Sequence, residues 1–209
     1  MRPDPAAIPP SAPAENLTDH LGMWAFLATE VLFFGGMFVA YTLYRSVYPE
    51  AFRFGAQTME FGLGTINTAV LLTSSFLMAC ADRLLPTRRR AWTHACFAGT
   101  ILLGVTFLAI KAFEYHSKVT HHLVPGPGFQ NHSGVPTLQL FFVLYFAMTG
   151  LHAAHMVAGL GVITWVWRRY AKASDPAQAA SPVAIGGLYW HFVDCVWVFL
   201  YPLFYLAGR

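Results

Sequence analysis

Charged residues divide the chain into five long apolar stretches, at residues 21–44, 61–81, 91–115, 136–167 and 183–207. A helix that crosses a bilayer needs roughly 20 mostly apolar residues. Strands of a membrane barrel are shorter and alternate in polarity, and these stretches do neither. Helices are then the remaining way to satisfy the backbone in lipid. The expected fold is all-α, a polytopic membrane bundle with five transmembrane helices. Only 11% of the residues are charged, against about 25% in soluble domains. That balance excludes a disordered chain and argues against a soluble enzyme. Residues 1–20 are rich in Pro and Ala and contain acids. They read as a flexible tail, since a signal peptide starts basic and continues apolar. Residues 21–209 read as one transmembrane domain.

The loops set the expected orientation. Arg83, Arg88, Arg89 and Arg90 lie between stretches two and three, and Arg168, Arg169 and Lys172 between four and five. The other two loops carry Arg45 and Arg53, offset by Glu50 and Glu60, and Lys118. The excess of Arg and Lys places the N-terminus in the cytoplasm and the C-terminus outside. Tyr44, Tyr48, Trp92, Trp165, Trp167, Tyr170 and Tyr205 fall near stretch ends, where interfacial aromatics are expected. The net charge of +3 is too small to argue for nucleic acid. Cys80, Cys96 and Cys195 are odd in number, lack CxxC spacing and read as small buried hydrophobes. Gly35, Gly36, Gly62, Gly64, Gly159, Gly161, Gly186 and Gly187 read as points of close helix approach.

Ionisable groups inside a bilayer are functional hypotheses by default. Glu30, His155 and Asp194 each fall roughly 15–20 Å from the inner surface at 1.5 Å per residue. His152 with His155, and His191 with Asp194, are three apart and share a helix face. A packed bundle can gather Glu30, His152, His155, His191 and Asp194 into one polar cluster. Interhelical hydrogen bonding explains the two pairs more cheaply than a functional role does. For Glu30 the functional or lipid-contacting reading and the structural one stand level. Lys111 and Glu114, also three apart, read as a snorkelling lysine with a local ion pair at the outer end of the third stretch. His116, His121, His122 and His132 share one loop, but their spacing fits no closed metal site. No haem-attachment, dinucleotide, phosphate-loop or nucleophile-elbow pattern occurs. The chain reads as one without a redox centre, metal or nucleophile of its own. Five stretches do not divide into two halves, which weakens a transporter reading.

Five blocks then resemble subunit III of the haem-copper terminal oxidases, the cytochrome c oxidase subunit 3 family. They are GMWAFLATEVLFFGGMFVAY at 22–41, GTINTAVLLTSS at 64–75, IKAFEY at 110–115, FFVLYFAMTGLHAAHMVAGL at 141–160 and GLYWHFVDCVWVFLYPLFYL at 187–206. The resemblance covers nearly everything after residue 20 and keeps the family order. It implies a bacterial cytoplasmic (inner) membrane protein in the short, five-helix form, lacking the first two helices of the seven-helix form. It implies a subunit packed against subunit I, with subunit II, small subunits and a larger respiratory supercomplex as further partners. The complex reduces dioxygen to water and pumps protons in aerobic electron transport. Haem and copper lie in the partner subunits, and this chain stabilises subunit I, holds phospholipid and supports proton uptake. Carried over by residue, Glu30 matches the family's buried glutamate, and His152 and His155 match its paired histidines. Trp190, His191 and Asp194 match its WHFVD block, and Lys111, Glu114 and Tyr115 its xKxxEY block. Arg169 and Lys172 fall where basic residues approach lipid phosphate.

Cytochrome c is the electron donor that this resemblance favours. A quinol oxidase subunit III and an accessory subunit of a nitric oxide reductase are the neighbouring alternatives. From different classes come an autonomous small transporter or proton channel using Glu30, His155 and Asp194, and a lipid scaffold.

Overall fold

The computed structural model describes residues 12–87, 89–126, 129 and 134–208. Helices account for all its regular secondary structure: α1 (Ala12–Val47), α2 (Pro49–Gln57), α3 (Phe61–Leu84), α4 (Arg90–Thr120), α5 (Leu138–Lys172) and α6 (Ala180–Tyr201). Short 3₁₀ turns follow α3 and precede α6, and a π-helical turn, Pro202–Leu206, continues α6. Five segments are long and apolar enough to cross a membrane: Thr18–Val47, Phe61–Thr87, Arg90–Thr120, Leu138–Lys172 and Ala180–Leu206. The number and order match the five apolar stretches. The helices run further than the apolar stretches alone, because polar residues extend the outer turns once the backbone bonds are under way. The helix α1 starts at Ala12, inside the segment read as a tail; residues 1–11, Arg88, His132 and Arg209 lie outside the described residues.

The bundle is built around α6. More than half of its central window is buried (56%), against 11% for α1. It lies between α5 and α3, with α4 behind them and α1 on the outside. Aliphatic lipid offers no hydrophobic gain when helices meet, so close packing and interhelical bonds must hold them. The α3–α4 pair shows how. Ser74 Oγ donates to the Thr100 carbonyl at 3.1 Å, and Thr100 Oγ1, which donates to the Cys96 carbonyl at 2.9 Å, stands 3.4 Å from the Ser74 carbonyl. Other hydroxyls, such as Thr68 and Thr149, donate to the carbonyl four residues earlier, so they cost little in lipid. The outward faces carry Leu32, Phe76, Leu102, Phe113 and Phe199, all exposed and all suited to acyl chains.

Glycines open the space for the largest core side chain. A Cβ on Gly104 or Gly159 would stand 2.9 Å from the Trp190 ring, on α4 and α5 respectively. A Cβ on Gly64 would stand 2.7 Å from Tyr205. Gly35, Gly36, Gly62 and Gly161 meet nothing within 4 Å. Close approach therefore explains Gly64, Gly159 and the less crowded Gly186, not every glycine in the stretches.

Two sequence expectations change. Tyr170 and Tyr205 are core residues, 2% and 1% exposed, because their helices continue past them; Trp92 and Trp165 do face outward. Cys96 is buried, but Cys195 is exposed on the side of α6 that α1 leaves open. The helix α2 lies between the apolar stretches, where Pro49 at its start, Glu50 in its first turn and the spacing of Ala51, Phe52, Gly55 and Ala56 mark an amphipathic helix. Its buried face packs on α5, with Phe52 edge-on to Phe141 at 5.6 Å.

Gly159→Ala is expected to destabilise the bundle by about 1–3 kcal/mol, the range for overpacking a filled core. Gly161→Ala, two residues along the same helix, should leave the thermal melt of the purified protein unchanged. Equal melts for both variants would contradict this account of the Trp190 slot.

Candidate functional site: buried polar groups in the bundle

Glu30 and His155 meet across α1 and α5. Glu30 Oε2 lies 3.1 Å from His155 Nε2, with the two side chains 18% and 16% exposed. His155 Nδ1 is 2.9 Å from the Leu151 carbonyl, which can only accept, so Nδ1 donates. The contact between Nε2 and Oε2 then holds one proton shared by the pair. Tyr189 on α6 donates to the His155 carbonyl at 3.2 Å, and Phe34 packs edge-on to the imidazole at 5.4 Å. One joint thus links α1, α5 and α6.

The other three residues of the expected cluster sit elsewhere. His191 Nδ1 bonds the Ser75 hydroxyl on α3 at 2.7 Å. Asp194, one turn on, is buried against Ser75, and neither of its oxygens has a hydrogen-bond partner among the described residues. His152 lies stacked on Trp197 at 5.2 Å and edge-on to Phe107 at 5.6 Å, with both ring nitrogens unbonded there. His152 and His155 share one helix but serve different neighbours. The sequence placed Glu30, His155 and Asp194 at one depth, with His152 and His191 on the same helix faces as two of them; helix rotation distributes the five over separate interfaces.

Lys111 and Glu114 form the most completely satisfied group. Lys111 Nζ donates to Glu114 Oε2 at 3.0 Å, to Tyr145 Oη at 3.1 Å and to Tyr205 Oη at 2.9 Å. Tyr145 and Tyr205 in turn donate to Glu114 Oε1 at 2.9 and 2.7 Å. All three ammonium hydrogens are used, and the rings of Tyr145 and Trp197 lie 5.1 and 5.0 Å from Nζ. Lys111 is 4% exposed and Glu114 2%. The ion pair is there, but the lysine does not snorkel. Its helix continues to Thr120, so Lys111 lies more than two turns inside the end of α4. Beside it, Tyr115 Oη bonds Thr149 Oγ1 at 2.6 Å. Trp190 Nε1 donates to Ser74 Oγ at 3.2 Å.

Arg169 and Lys172 are exposed at the end of α5, on the same end of the bundle as the arginine-rich turn; Arg169 lies over the Trp165 ring at 5.4 Å. His116, His121 and His122 are exposed at the opposite end. Among the described residues no three His, Cys, Asp or Glu side chains converge. An apolar groove runs between α1 and α6, lined by Trp24, Val31, Phe34, Phe38, Phe192 and Phe199.

The family profile of cytochrome c oxidase subunit III matches residues 15–209, the whole bundle just described. The chain belongs to that family. A cytochrome c oxidase subunit 3 of Thermostichus vulcanus is 32% identical over 190 residues, covering 90% of this chain and 87% of its own. A heme-copper oxidase subunit I+III of Aeropyrum pernix is 30% identical over 88% of this chain and 22% of its own. A probable quinol oxidase subunit 3 of Staphylococcus haemolyticus is 26% identical, covering 93% and 91%. As a haem-copper oxidase subunit III, the chain is a multi-pass membrane component of an oxidoreductase complex and associates with other oxidase subunits.

For a subunit III chain, the partners that motif reading missed are as informative as the motif residues. Ser74, Ser75, Tyr145, Thr149 and Tyr205 complete every polar contact made by Trp190, His191, Lys111, Glu114 and Tyr115. Only their position inside uncharged stretches signalled them.

Removing one partner of the buried pair, by Lys111→Met or Glu114→Leu alone, is expected to cost about 3–5 kcal/mol. The double variant should regain much of that loss, since no uncompensated charge then remains. A double-variant cycle of unfolding measurements checks this; additive losses would show that the two side chains act independently.

Proposed function

We propose that this chain is the subunit III without redox centres of a proton-pumping, cytochrome c-oxidising oxygen reductase. It stabilises subunit I, holds phospholipid and supports proton uptake, with its N-terminus cytoplasmic. Glu30, His152, His155, His191 and Asp194 are its functional polar residues within the membrane. The observation that carries this reading is the match of the subunit III family over residues 15–209. The Aeropyrum relative, whose name joins subunits I and III, supports subunit I as the direct neighbour. The chemistry of the donors supports the absence of a redox role. His155 and His191 are committed to Glu30 and Ser75, and His94 to Trp167 at 2.8 Å. The apolar groove between α1 and α6 supports lipid holding, and Arg169 and Lys172 suit an anionic head group at the inner surface. A quinol oxidase is the second reading, favoured by the Staphylococcus relative.

Mild-detergent capture of the tagged chain from native membranes, followed by a reduced-minus-oxidised spectrum, tests the assignment. Haem absorbance with co-eluting large membrane subunits is expected, and oxidation of reduced cytochrome c by the eluate separates the two donors. A colourless chain eluting alone would overturn it.

Glu30→Ala is expected to leave the haem spectrum of the assembled complex intact while shortening its active lifetime during turnover. An unchanged lifetime would remove Glu30 from the functional set.

A further inference from the structure

At the end of the bundle opposite the arginine-rich turn, a cleft of about 580 Å³ opens between α2, the end of α4 and the start of α5. Its walls are apolar where they meet the core, at Phe54, Leu123, Leu138 and Phe142. Its polar groups have an order. Lys118 is 5% exposed and Ser117 half-buried, whereas Thr120, His121, His122 and, on the α2–α3 side, Glu60 are exposed. Lys118 Nζ donates to the Thr58 carbonyl at 2.7 Å. No carboxylate lies within ion-pair distance of it among the described residues; Glu114 and Glu60 act on its charge from further off and leave its donors unused. An ammonium has three hydrogens and no acceptor. Lys111, on the same helix, satisfies all three of its own with Glu114 and two tyrosines. Lys118 therefore brings a nearly buried positive charge and spare donors to the wall of an open cleft.

A buried charge with unused donors is costly unless an anionic oxygen completes it. A plain anion would meet the Glu60 carboxylate in the same cleft, and like charges repel. A ligand that carries a phosphate oxygen for Lys118 and an ammonium for Glu60 satisfies both. Phe54, Leu138 and Phe142 give the cleft an apolar wall, which suits the start of an acyl chain. We propose that this cleft binds a phosphodiester flanked by an ammonium, as in an aminophospholipid head group or its soluble glycerol ester. The proposal deepens the lipid-holding reading and rests on the chain being a membrane oxidase subunit. It concerns a different place from the α1–α6 groove.

The test uses the purified oxidase complex, with its haem spectrum recorded first so that loss of assembly is seen separately. The complex is exchanged into vesicles of phosphatidylethanolamine and phosphatidylglycerol in equal amounts, and retained lipid is measured by mass spectrometry after detergent washing. Wild type should retain phosphatidylethanolamine in preference. Glu60→Gln, which keeps size and polarity, should abolish that preference. Lys118→Gln, which removes the charge and keeps a polar side chain, should lower retention about tenfold, the worth of one charge-assisted hydrogen bond. Displacement by soluble glycerophosphoethanolamine would assign the site to the soluble ester; resistance to it would assign it to the lipid. Equal retention of both lipids by wild type, or variants that retain lipid as wild type does with the haem spectrum intact, would overturn the proposal.

Discussion

The pair Lys111–Glu114 is the interaction on which the rest of the bundle is arranged. Two opposite charges three residues apart on α4 are buried almost completely, where desolvation opposes them. The cost is met because each remaining hydrogen and lone pair has a specific partner, and the partners come from two other elements. Tyr145 belongs to α5, and Tyr205 to the π-helical turn after α6. The charge pair thus dictates the rotation of α5 and the path of the chain end. Trp197 and His152 pack beside it and extend the same aromatic layer toward the middle of the membrane.

That π-helical turn has a further consequence. Pro202 cannot donate a backbone hydrogen bond, and the wider turn leaves carbonyls for other elements. Tyr41 donates to the Leu203 carbonyl at 2.5 Å, Arg45 to that of Ala207 at 3.2 Å, and Gln57 to that of Gly208 at 3.1 Å. The chain end ties α1 and α2 to the bundle while Tyr205 ties it to α4. The helix α1, mostly exposed, is held polar at two levels: here, and at Glu30 with His155. Between those levels its contacts are apolar, which leaves the groove beside α6 open to something mobile and oily.

The number and order of the spanning helices, and most of their limits to within about five residues, were legible because the bilayer imposes a length and a charge rule on each; the start of α1, nine residues earlier than its apolar stretch, was not. The family was legible because five polar-marked blocks keep their order. Contacts were less so. Glu30 and His155 share a depth and do meet. Asp194 shares that depth but faces Ser75, as does His191 one turn away, since depth follows from counting residues whereas azimuth depends on packing. Lys111 was misplaced for a related reason. A lysine near a stretch end usually snorkels, and nothing local announces that tyrosines 34 and 94 residues away will enclose it. The helix α2 is nine residues long and lies outside the apolar stretches, so a search for spans passes over it.

The bundle has a closed polar centre and an open polar margin. Its polar groups are of two kinds. Lys111, Glu114, Tyr145 and Tyr205 are closed on one another and make a rigid centre. Glu30 with His155 lies at the joint of the most exposed helix, and partial exposure leaves that joint within reach of its surroundings. A shared proton there offsets the charge of one partner against the other, so α1 is held without a lone ion in lipid. Between that joint and the tie of Tyr41 and Arg45 to the chain end, α1 meets α6 through apolar side chains, so its margin of the bundle is held less rigidly than the centre.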